Sequence, residues 1–112
     1  MSLVDKKCVP CEGGAQPLPH TEIEQLLGEL RLPWEVLEHK KIHHEFVFKD
    51  FLEAMAFVKS VAEIAEAEGH HPDLHISYNR VVVELWTHAI GGLSENDFIV
   101  AGKIEGVGMT GI

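Results

Sequence analysis

The segment from residue 50 to residue 72, DFLEAMAFVKSVAEIAEAEGHHP, decides the fold because it contains the clearest helical pattern of the chain. Asp50, followed three positions later by a glutamate, is typical of a helix N-cap. Gly69 suits the residue after a helix, and Pro72 prevents the helix from continuing. We therefore predict a helix over residues 51–68. Its apolar face is predicted from the residues that recur at helical spacing, which are Phe51, Leu52, Met55, Val58, Ala62 and Ala65.

The same pattern of a capping residue and a carboxylate occurs at two other places and predicts two further helices. Thr21 precedes a glutamate by three positions and begins a helix over residues 21–30. Ser94 precedes Asp97 by the same interval and begins a helix over residues 94–106.

Four strands are predicted between these helices. Aromatic residues alternate with polar ones in the first pair, and a turn at Asn79-Arg80 separates the second pair. The predicted strands are residues 34–40, 42–49, 75–78 and 81–88. The order helix, two strands, helix, two strands, helix predicts an α+β fold, in which a four-stranded antiparallel sheet carries three helices on one face.

The first 19 residues are predicted to be an irregular leader, because prolines and glycines interrupt every periodicity. These residues are Pro10, Gly13, Gly14, Pro17 and Pro19. Residues 20–112 are predicted to form a single domain, as expected for a chain of 112 residues.

The composition is that of an ordinary globular protein, with 46% hydrophobic and 24% charged residues. The formal net charge of −9 argues against direct binding of nucleic acid and against docking on an anionic membrane, because both would repel the protein. A small neutral substrate is compatible with this charge. A domain of this size also gains readily from burying a face in an oligomer.

The N-terminus and the cysteines favour a cytoplasmic location. Residues 1–7 contain a basic pair with no apolar run behind it, so they do not predict a signal peptide. No segment approaches the roughly 20 apolar residues that a membrane-spanning helix needs. Cys8 and Cys11 are too close together to cross-link a fold, which favours a reducing compartment.

Three of the eight histidines occupy positions from which a rigid scaffold presents reactive groups. His70 and His71 follow the end of the central helix, and His88 ends the last predicted strand. Imidazole both donates and accepts protons near neutral pH, so these three are candidate catalytic residues. Glu66 lies one helical turn before His70, where it is placed to orient an imidazole.

A structural explanation competes with catalysis at these positions. Histidines often stand at helix C-termini for capping or dipole reasons, and the residue types alone leave both explanations open. The other histidines are predicted to lie on strand surfaces or in a loop; they are His20, His39, His43, His44 and His75.

A zinc site is a further alternative, because Cys8 and Cys11 form a CxxC pair. That pair needs two more ligands from elsewhere, and the adjacent His70 and His71 diverge and rarely chelate one ion together. A redox role is disfavoured because the pair does not begin a helix after a strand. No glycine-rich phosphate loop is present in the sequence.

The spacing of the candidate residues resembles that of the pterin-4a-carbinolamine dehydratase family. The family signature is an acidic or polar residue, three spacers, His-His-Pro, an aromatic residue, a further histidine and a closing aspartate. The matching residues are Glu66, His70, His71, Pro72, Tyr78, His88 and Asp97. Trp34 stands where the family has its early tryptophan, and the resemblance covers residues 20–106. Trp86 departs from the serine of the animal members.

The resemblance implies a fold and a reaction. The implied fold is a four-stranded antiparallel sheet with helices on one side, assembled as homodimers or homotetramers. The implied reaction is the dehydration of a 4a-hydroxytetrahydropterin to the quinonoid dihydropterin, with neither a metal nor an organic cofactor. That product returns to the tetrahydrobiopterin cycle of the aromatic amino acid hydroxylases, which is the implied pathway link.

The resemblance also implies residue roles. His70 and His88 would handle the protons near the 4a-hydroxyl, and His71 would mainly bind and orient the pterin. Glu66 would hold His70.

Three further residues have supporting roles under the resemblance. Pro72 would set the direction of the loop. Trp34 would form an apolar wall for the flat ring, although a tryptophan that begins a strand is more often simply core. Asp97 would cap the third helix and brace the His88 loop without touching substrate.

A binding module is the alternative function. Vertebrate members of the family also serve as dimerisation cofactors for a homeodomain transcription factor. The protein would then bind pterin or a partner without significant turnover. The complete set of histidines favours the enzyme, because a scaffold would not need those side chains.

Overall fold

In the part of the chain that the structure describes, seven helices and strands are arranged around one sheet. A computed structural model describes Cys8 and residues 16–110, and at residues 109 and 110 the backbone only. The elements are α1 (His20–Leu27), β1 (Glu35–Leu37), β2 (Lys41–Val47), α2 (Phe51–Glu68), β3 (Asp73–Ser77), β4 (Arg80–Leu85) and α3 (Glu95–Thr110), with a 3-10 turn at His88–Ile90. The strands form one antiparallel sheet in the order β1-β2-β4-β3. The predicted α+β fold and its element order are confirmed.

Helix α2 spans the predicted residues, and both of its ends have the expected local structure. The Asp50 carboxylate accepts a hydrogen bond from the Glu53 backbone N–H at 2.9 Å, which is the predicted N-cap. The Glu53 carboxylate in turn accepts from the Lys49 N–H at 3.1 Å. Gly69 adopts a left-handed conformation with φ of 66°, and its N–H donates to the Ala65 carbonyl, so the helix ends there.

The buried face of α2 differs from the predicted one. The residues that face the core are Ala54, Phe57, Val61 and Ala65. Phe51 and Leu52 are exposed, at 47% and 78%. Apolar residues occupy two neighbouring stripes of this helix, and the sheet selects the stripe whose Phe57 ring packs against Phe46 and Phe48, with centroids 4.7 and 4.9 Å away.

The starts of the other two helices differ from each other. The predicted Thr21 cap is wrong, since α1 begins at His20 after Pro19 and no side chain caps it. The carbonyl of Pro19 accepts the first N–H groups instead, from Glu22 and Ile23. At α3 the Asp97 carboxylate accepts from the Ser94 N–H at 2.9 Å, as a capping-box residue does.

Both hairpins turn earlier than predicted. Glu38 and His39 adopt left-handed conformations with φ of 53° and 58°, so β1 ends at Leu37. In the second hairpin, Tyr78 and Asn79 form the turn. Asn79 is fixed there because its amide donates to the Phe48 carbonyl at 2.8 Å. The last strand ends at Leu85, so His88 lies outside the sheet.

The core lies between one face of the sheet and the helices. Inward residues of β2 and β4 alternate with mostly polar residues on the outer face, and α3 supplies a nearly continuous buried run. Buried members of this core include Ile42, Phe46, Val81, Val83, Leu85, Leu93, Phe98, Ile99 and Ile104. None of the helices in the described residues is long and apolar enough to cross a membrane.

The segment before α1 packs against the loop that carries His88. The Leu18 N–H donates to the Leu93 carbonyl at 2.9 Å. A β-carbon at Gly92 would lie 2.8 Å from the Pro17 side chain, so only glycine fits there. Residues 16–19 are irregular, as predicted for the leader, and the boundary between leader and domain stays a prediction.

Candidate functional site

The end of α2 and the end of β4 meet at a cavity of about 380 Å³. A cleft of this size suits a small-molecule ligand. The lining residues are Gly69, His70, His71, Pro72, Asp73, Trp86, Thr87, His88 and Ala89. The structure therefore brings together all three candidate histidines and Pro72, although His88 is 17 residues from His71 in sequence.

His70 is held by a buried carboxylate. Its Nε2 lies 2.6 Å from Oδ1 of Asp97, whose side chain is completely buried. The other oxygen, Oδ2, accepts from the Thr87 hydroxyl at 2.8 Å and from the Ser94 N–H at 2.9 Å. Both carboxylate oxygens thus have partners, as a buried carboxylate requires. Because Nε2 contacts Asp97, Nδ1 is the ring nitrogen left for proton exchange.

Sequence reasoning missed this role of Asp97, which was expected only to cap α3 and to brace the loop before it. The structure shows capping and bracing through Ser94 and Thr87, and adds the bond to His70. The signal available in the sequence was the aspartate that closes the spacing pattern.

Glu66 pairs with His71, and the hypothesis that it holds His70 is wrong. Its Oε2 lies 2.6 Å from Nε2 of His71, and both side chains are largely exposed. The left-handed Gly69 ends the helix between Glu66 and the histidines, so helical spacing no longer relates them. Beyond Gly69, His70 reaches the buried Asp97, and His71 stays at the surface beside Glu66.

His88 lies at the start of the 3-10 turn and is exposed. The loop around it is closed by a bridge in which the Thr87 N–H donates to the Gly92 carbonyl at 2.8 Å. The His88 ring lies against the indole of Trp86, with centroids 4.0 Å apart and planes at 42°.

Trp34 is not among the residues that line this cavity. Its side chain is 5% exposed, and its indole N–H donates to Oε2 of Glu105 at 2.8 Å. Glu105 also accepts from the N–H groups of Arg31 and Leu32, so this buried carboxylate fixes the chain before β1. The core explanation of Trp34 fits these contacts, and the tryptophan that lines the cavity is Trp86.

A larger cavity of about 700 Å³ lies between the helices, away from the histidines. Its lining contains no histidine, cysteine or hydroxyl side chain. Two of its charged residues, Glu68 and Lys103, form an ion pair at 3.4 Å. We therefore place the candidate site at the smaller cavity, where three imidazoles converge.

Cys8 contacts the C-terminal end of α2 and the start of α3, the same helix ends that position His70 and Asp97. Its N–H donates to Glu68 at 2.9 Å, and its thiol lies 3.6 Å from the Asn96 carbonyl. Burial, assisted by the negative charge of Glu68, raises the pKa of this thiol to about 12. The thiol therefore stays protonated at neutral pH and is a poor nucleophile.

The zinc alternative involves Cys11, which lies outside the described residues. Within Cys8 and residues 16–110, no three His, Cys, Asp or Glu side chains are grouped so that they could hold a metal ion. The expected independence of metals and cofactors stays a prediction.

Comparison with protein families and curated proteins gives consistent matches. A family model described as pterin 4 alpha carbinolamine dehydratase matches residues 16–107. A Rickettsia bellii protein with the provisional name pterin-4-alpha-carbinolamine dehydratase is 50% identical over 104 residues, which is 93% of this chain and 92% of that protein. A Nitrosospira multiformis protein with the same provisional name is 52% identical over 103 residues, which is 92% of this chain and 89% of the relative.

Solved structures show the same fold. A Brucella melitensis protein described as a transcriptional coactivator/pterin dehydratase superposes with a TM-score of 0.78 at 34% identity, covering 83% of this chain and 99% of that one. A pterin dehydratase-like protein described as a RuBisCO assembly factor superposes with a TM-score of 0.60 at 18% identity, covering 70% and 92% of the two chains. The second likeness concerns the fold alone.

Proposed function

The chain belongs to the pterin 4 alpha carbinolamine dehydratase family, and on that premise we propose that it dehydrates a 4a-hydroxytetrahydropterin to the quinonoid dihydropterin. The observation that carries the proposal is the His70–Asp97 pair at 2.6 Å, on a cavity that His71 and His88 also line. An imidazole held by a buried carboxylate beside two further imidazoles suits proton transfer to and from one bound ring.

The chemistry needs two proton transfers and no change in oxidation state. The C4a–O bond breaks as the leaving hydroxyl takes a proton and departs as water. Ring nitrogen N5 loses its proton, and the electron pair of that N–H bond forms the C4a=N5 double bond. The two transfers balance, so an acid and a base on the same ring suffice, each contributing about 10²–10⁴ in rate.

We assign the base to His70 and the acid to His88. Asp97 accepts the Nε2–H of His70, which fixes the ring and leaves Nδ1 to take the N5 proton. His88 comes from the other wall of the cavity and would deliver a proton to the leaving oxygen. His71, held by Glu66 at the surface, would bind and orient the pterin, and Pro72 directs the segment between them.

The cellular setting is part of the same proposal. We propose a cytoplasmic homodimer or homotetramer that recycles tetrahydrobiopterin-type cofactors for aromatic amino acid hydroxylases. Support for an oligomer comes from apolar side chains left exposed by the protomer, among them Val47, Phe51, Leu52 and Tyr78.

The test is the dehydration of freshly generated 4a-hydroxytetrahydropterin, followed by its ultraviolet absorbance against the spontaneous rate. We expect wild-type protein to accelerate the reaction. His70→Ala and His88→Ala should each lower kcat by about 10²–10⁴ while changing pterin binding much less. His20→Ala, which removes an exposed histidine outside the cavity, is the matched control and should turn over normally.

Two outcomes would overturn the proposal at different points. Wild-type protein that does not exceed the spontaneous rate would exclude the activity. Normal turnover by both cavity variants would leave the activity but exclude these residues as its proton carriers.

A second candidate function is binding or dimerisation without turnover. The observation that favours it is the description of the Brucella neighbour, which names a transcriptional coactivator as well as a pterin dehydratase. Complementation of a pterin-cycle defect separates the two functions. If the protein complements the defect as a binding module, the variant with His70, His71 and His88 all replaced by alanine should complement it equally well. If it complements the defect as an enzyme, that variant should not complement it.

A further inference from the structure

We propose that Trp86 is a positioning residue for His88, and that its indole sets the separation between the two histidine-bearing walls of the cavity. This inference rests on the proposed dehydratase function. It concerns a residue that had no role among the sequence-predicted site residues.

The three cavity histidines are held in different ways. His70 and His71 each have a carboxylate oxygen 2.6 Å from Nε2. Within the described part of the chain, no hydrogen bond or ion pair holds the His88 imidazole, and its side-chain neighbour is the Trp86 indole at 4.0 Å. The orientation of the proposed acid therefore depends on a ring contact.

Trp86 is itself fixed from two sides. Its indole N–H donates to Oδ2 of Asp73 at 3.3 Å, and Nζ of Lys41 lies 5.3 Å from its ring centroid. Such a cation–π contact adds attraction at an exposed site. An indole held in this way offers His88 a rigid surface.

The hydrogen bond to Asp73 also links the Trp86 indole to the opposite wall of the cavity. Asp73 follows Pro72 directly and begins β3, so it belongs to the wall that carries His70 and His71. Trp86 leads into the wall that carries His88. The indole therefore connects the two walls, and its width keeps their imidazoles apart by a fixed amount. Acid and base must be placed within about 1 Å of their working positions, since such an error costs about 10²-fold in rate.

The test compares Trp86→Phe, which keeps an aromatic surface, with Trp86→Ala, which removes it. We expect Trp86→Ala to lower kcat about tenfold to a hundredfold with little change in KM. Trp86→Phe keeps a ring surface but loses the bond to Asp73 and the width of the indole, so its kcat should fall between those of wild type and Trp86→Ala. Val47→Ala, on the same outer face of the sheet but far from the cavity, is the control and should not change kcat.

A double-mutant cycle asks whether Trp86 acts through His88. In the His88→Ala background, adding Trp86→Ala should cost less than about twofold more, because the positioned group is already gone. An equal loss in both backgrounds would show that Trp86 acts elsewhere and would overturn the inference.

Nuclear magnetic resonance of the free protein gives a readout that does not depend on turnover. The imidazole C–H resonances of His88 should carry an indole ring-current shift that Trp86→Ala abolishes and Trp86→Phe only reduces. His88 resonances that stay at the wild-type positions in Trp86→Ala would overturn the positioning role. If wild-type protein shows no dehydratase activity, the proposed function fails, while this measurement still decides the contact.

Discussion

His70 and His71 are neighbours in the chain, and each has a carboxylate oxygen 2.6 Å from Nε2, yet the two pairs lie in very different surroundings. The partner of His70, Asp97, is completely buried and accepts two further hydrogen bonds. The partner of His71, Glu66, is 78% exposed. The two pairs have the same distance, but the Asp97 carboxylate has lost its contact with water and the Glu66 carboxylate keeps most of it.

Burial, and not bond length, decides how much a carboxylate–histidine pair contributes to stability and turnover. Exposed pairs gain little because water already solvates both groups and salt screens them. A buried carboxylate has lost its water, so removal of one partner leaves the others unsatisfied. We expect the His70 pair to determine turnover and folding, and the His71 pair to tune substrate binding.

The largest effect is expected from Asp97→Asn, which tests the buried His70–Asp97 pair. The one oxygen of the amide stays with its two donors, Thr87 and Ser94, so the NH2 group faces His70 and cannot accept the Nε2–H. The ring is then no longer fixed in its tautomer and orientation. We expect kcat to fall by about 10²–10⁴ and the free energy of unfolding to fall by about 1–3 kcal/mol. Stopped-flow dehydration and urea denaturation measure the two quantities.

Glu24→Gln is the matched control for this substitution, because Glu24 pairs with His20 at the surface, 3.1 Å away. It should change neither quantity measurably. Turnover of Asp97→Asn within about threefold of wild type would remove Asp97 from the proposed mechanism.

An intermediate effect is expected from Thr87→Val, which removes one hydrogen-bond donor to Asp97 and keeps the shape of the side chain. Oδ2 of Asp97 then loses the hydroxyl that lies 2.8 Å away. We expect the free energy of unfolding to fall by about 1–3 kcal/mol and kcat to fall about tenfold, because the carboxylate is less firmly held.

Thr87→Ser keeps the hydroxyl and serves as the control for this position. It should restore most of the loss in both the urea titration and the rate assay. Thr87→Val with wild-type stability and turnover would show that the hydrogen bond to Asp97 does not matter. A serine variant as defective as the valine variant would show that the threonine methyl group contributes as well.

The smallest effect is expected from Glu66→Gln, which tests the exposed side. We expect the free energy of unfolding to change by less than about 1 kcal/mol and the coupling energy to His71 to be equally small. The kcat should stay within about threefold of wild type, and the change in KM should become smaller as salt is added. A double-mutant cycle with His71→Ala measures the coupling. A coupling energy as large as that between His70 and Asp97 would contradict the claim that exposure weakens the Glu66–His71 pair.

Particular residues show how far the sequence leads. Helix α2 was predictable from end to end because its signals are local: Asp50 caps the first turn, and Gly69 ends the helix through its own backbone conformation. Its buried stripe was not predictable, because two apolar stripes lie side by side and only the rings of Phe46 and Phe48 select between them.

The candidate site shows the same division. The spacing of His70, His71 and His88 predicted one cavity, and the structure brings the three to it. The turn at Tyr78 depends on the hydrogen bonds that Asn79 makes with Phe48, the residue after β2, and no local pattern contains these contacts.

The element order, the fold class and the candidate site residues could be predicted from the sequence, because periodicity, caps and motif spacing act over a few positions. Which carboxylate contacts which histidine depends on the packing of distant segments. Asp97 lies 27 residues from His70 and reaches it only when the start of α3 packs beside the end of α2. The tertiary structure also decided that Trp86, and not Trp34, lines the cavity, because the buried Glu105 holds Trp34 in the core.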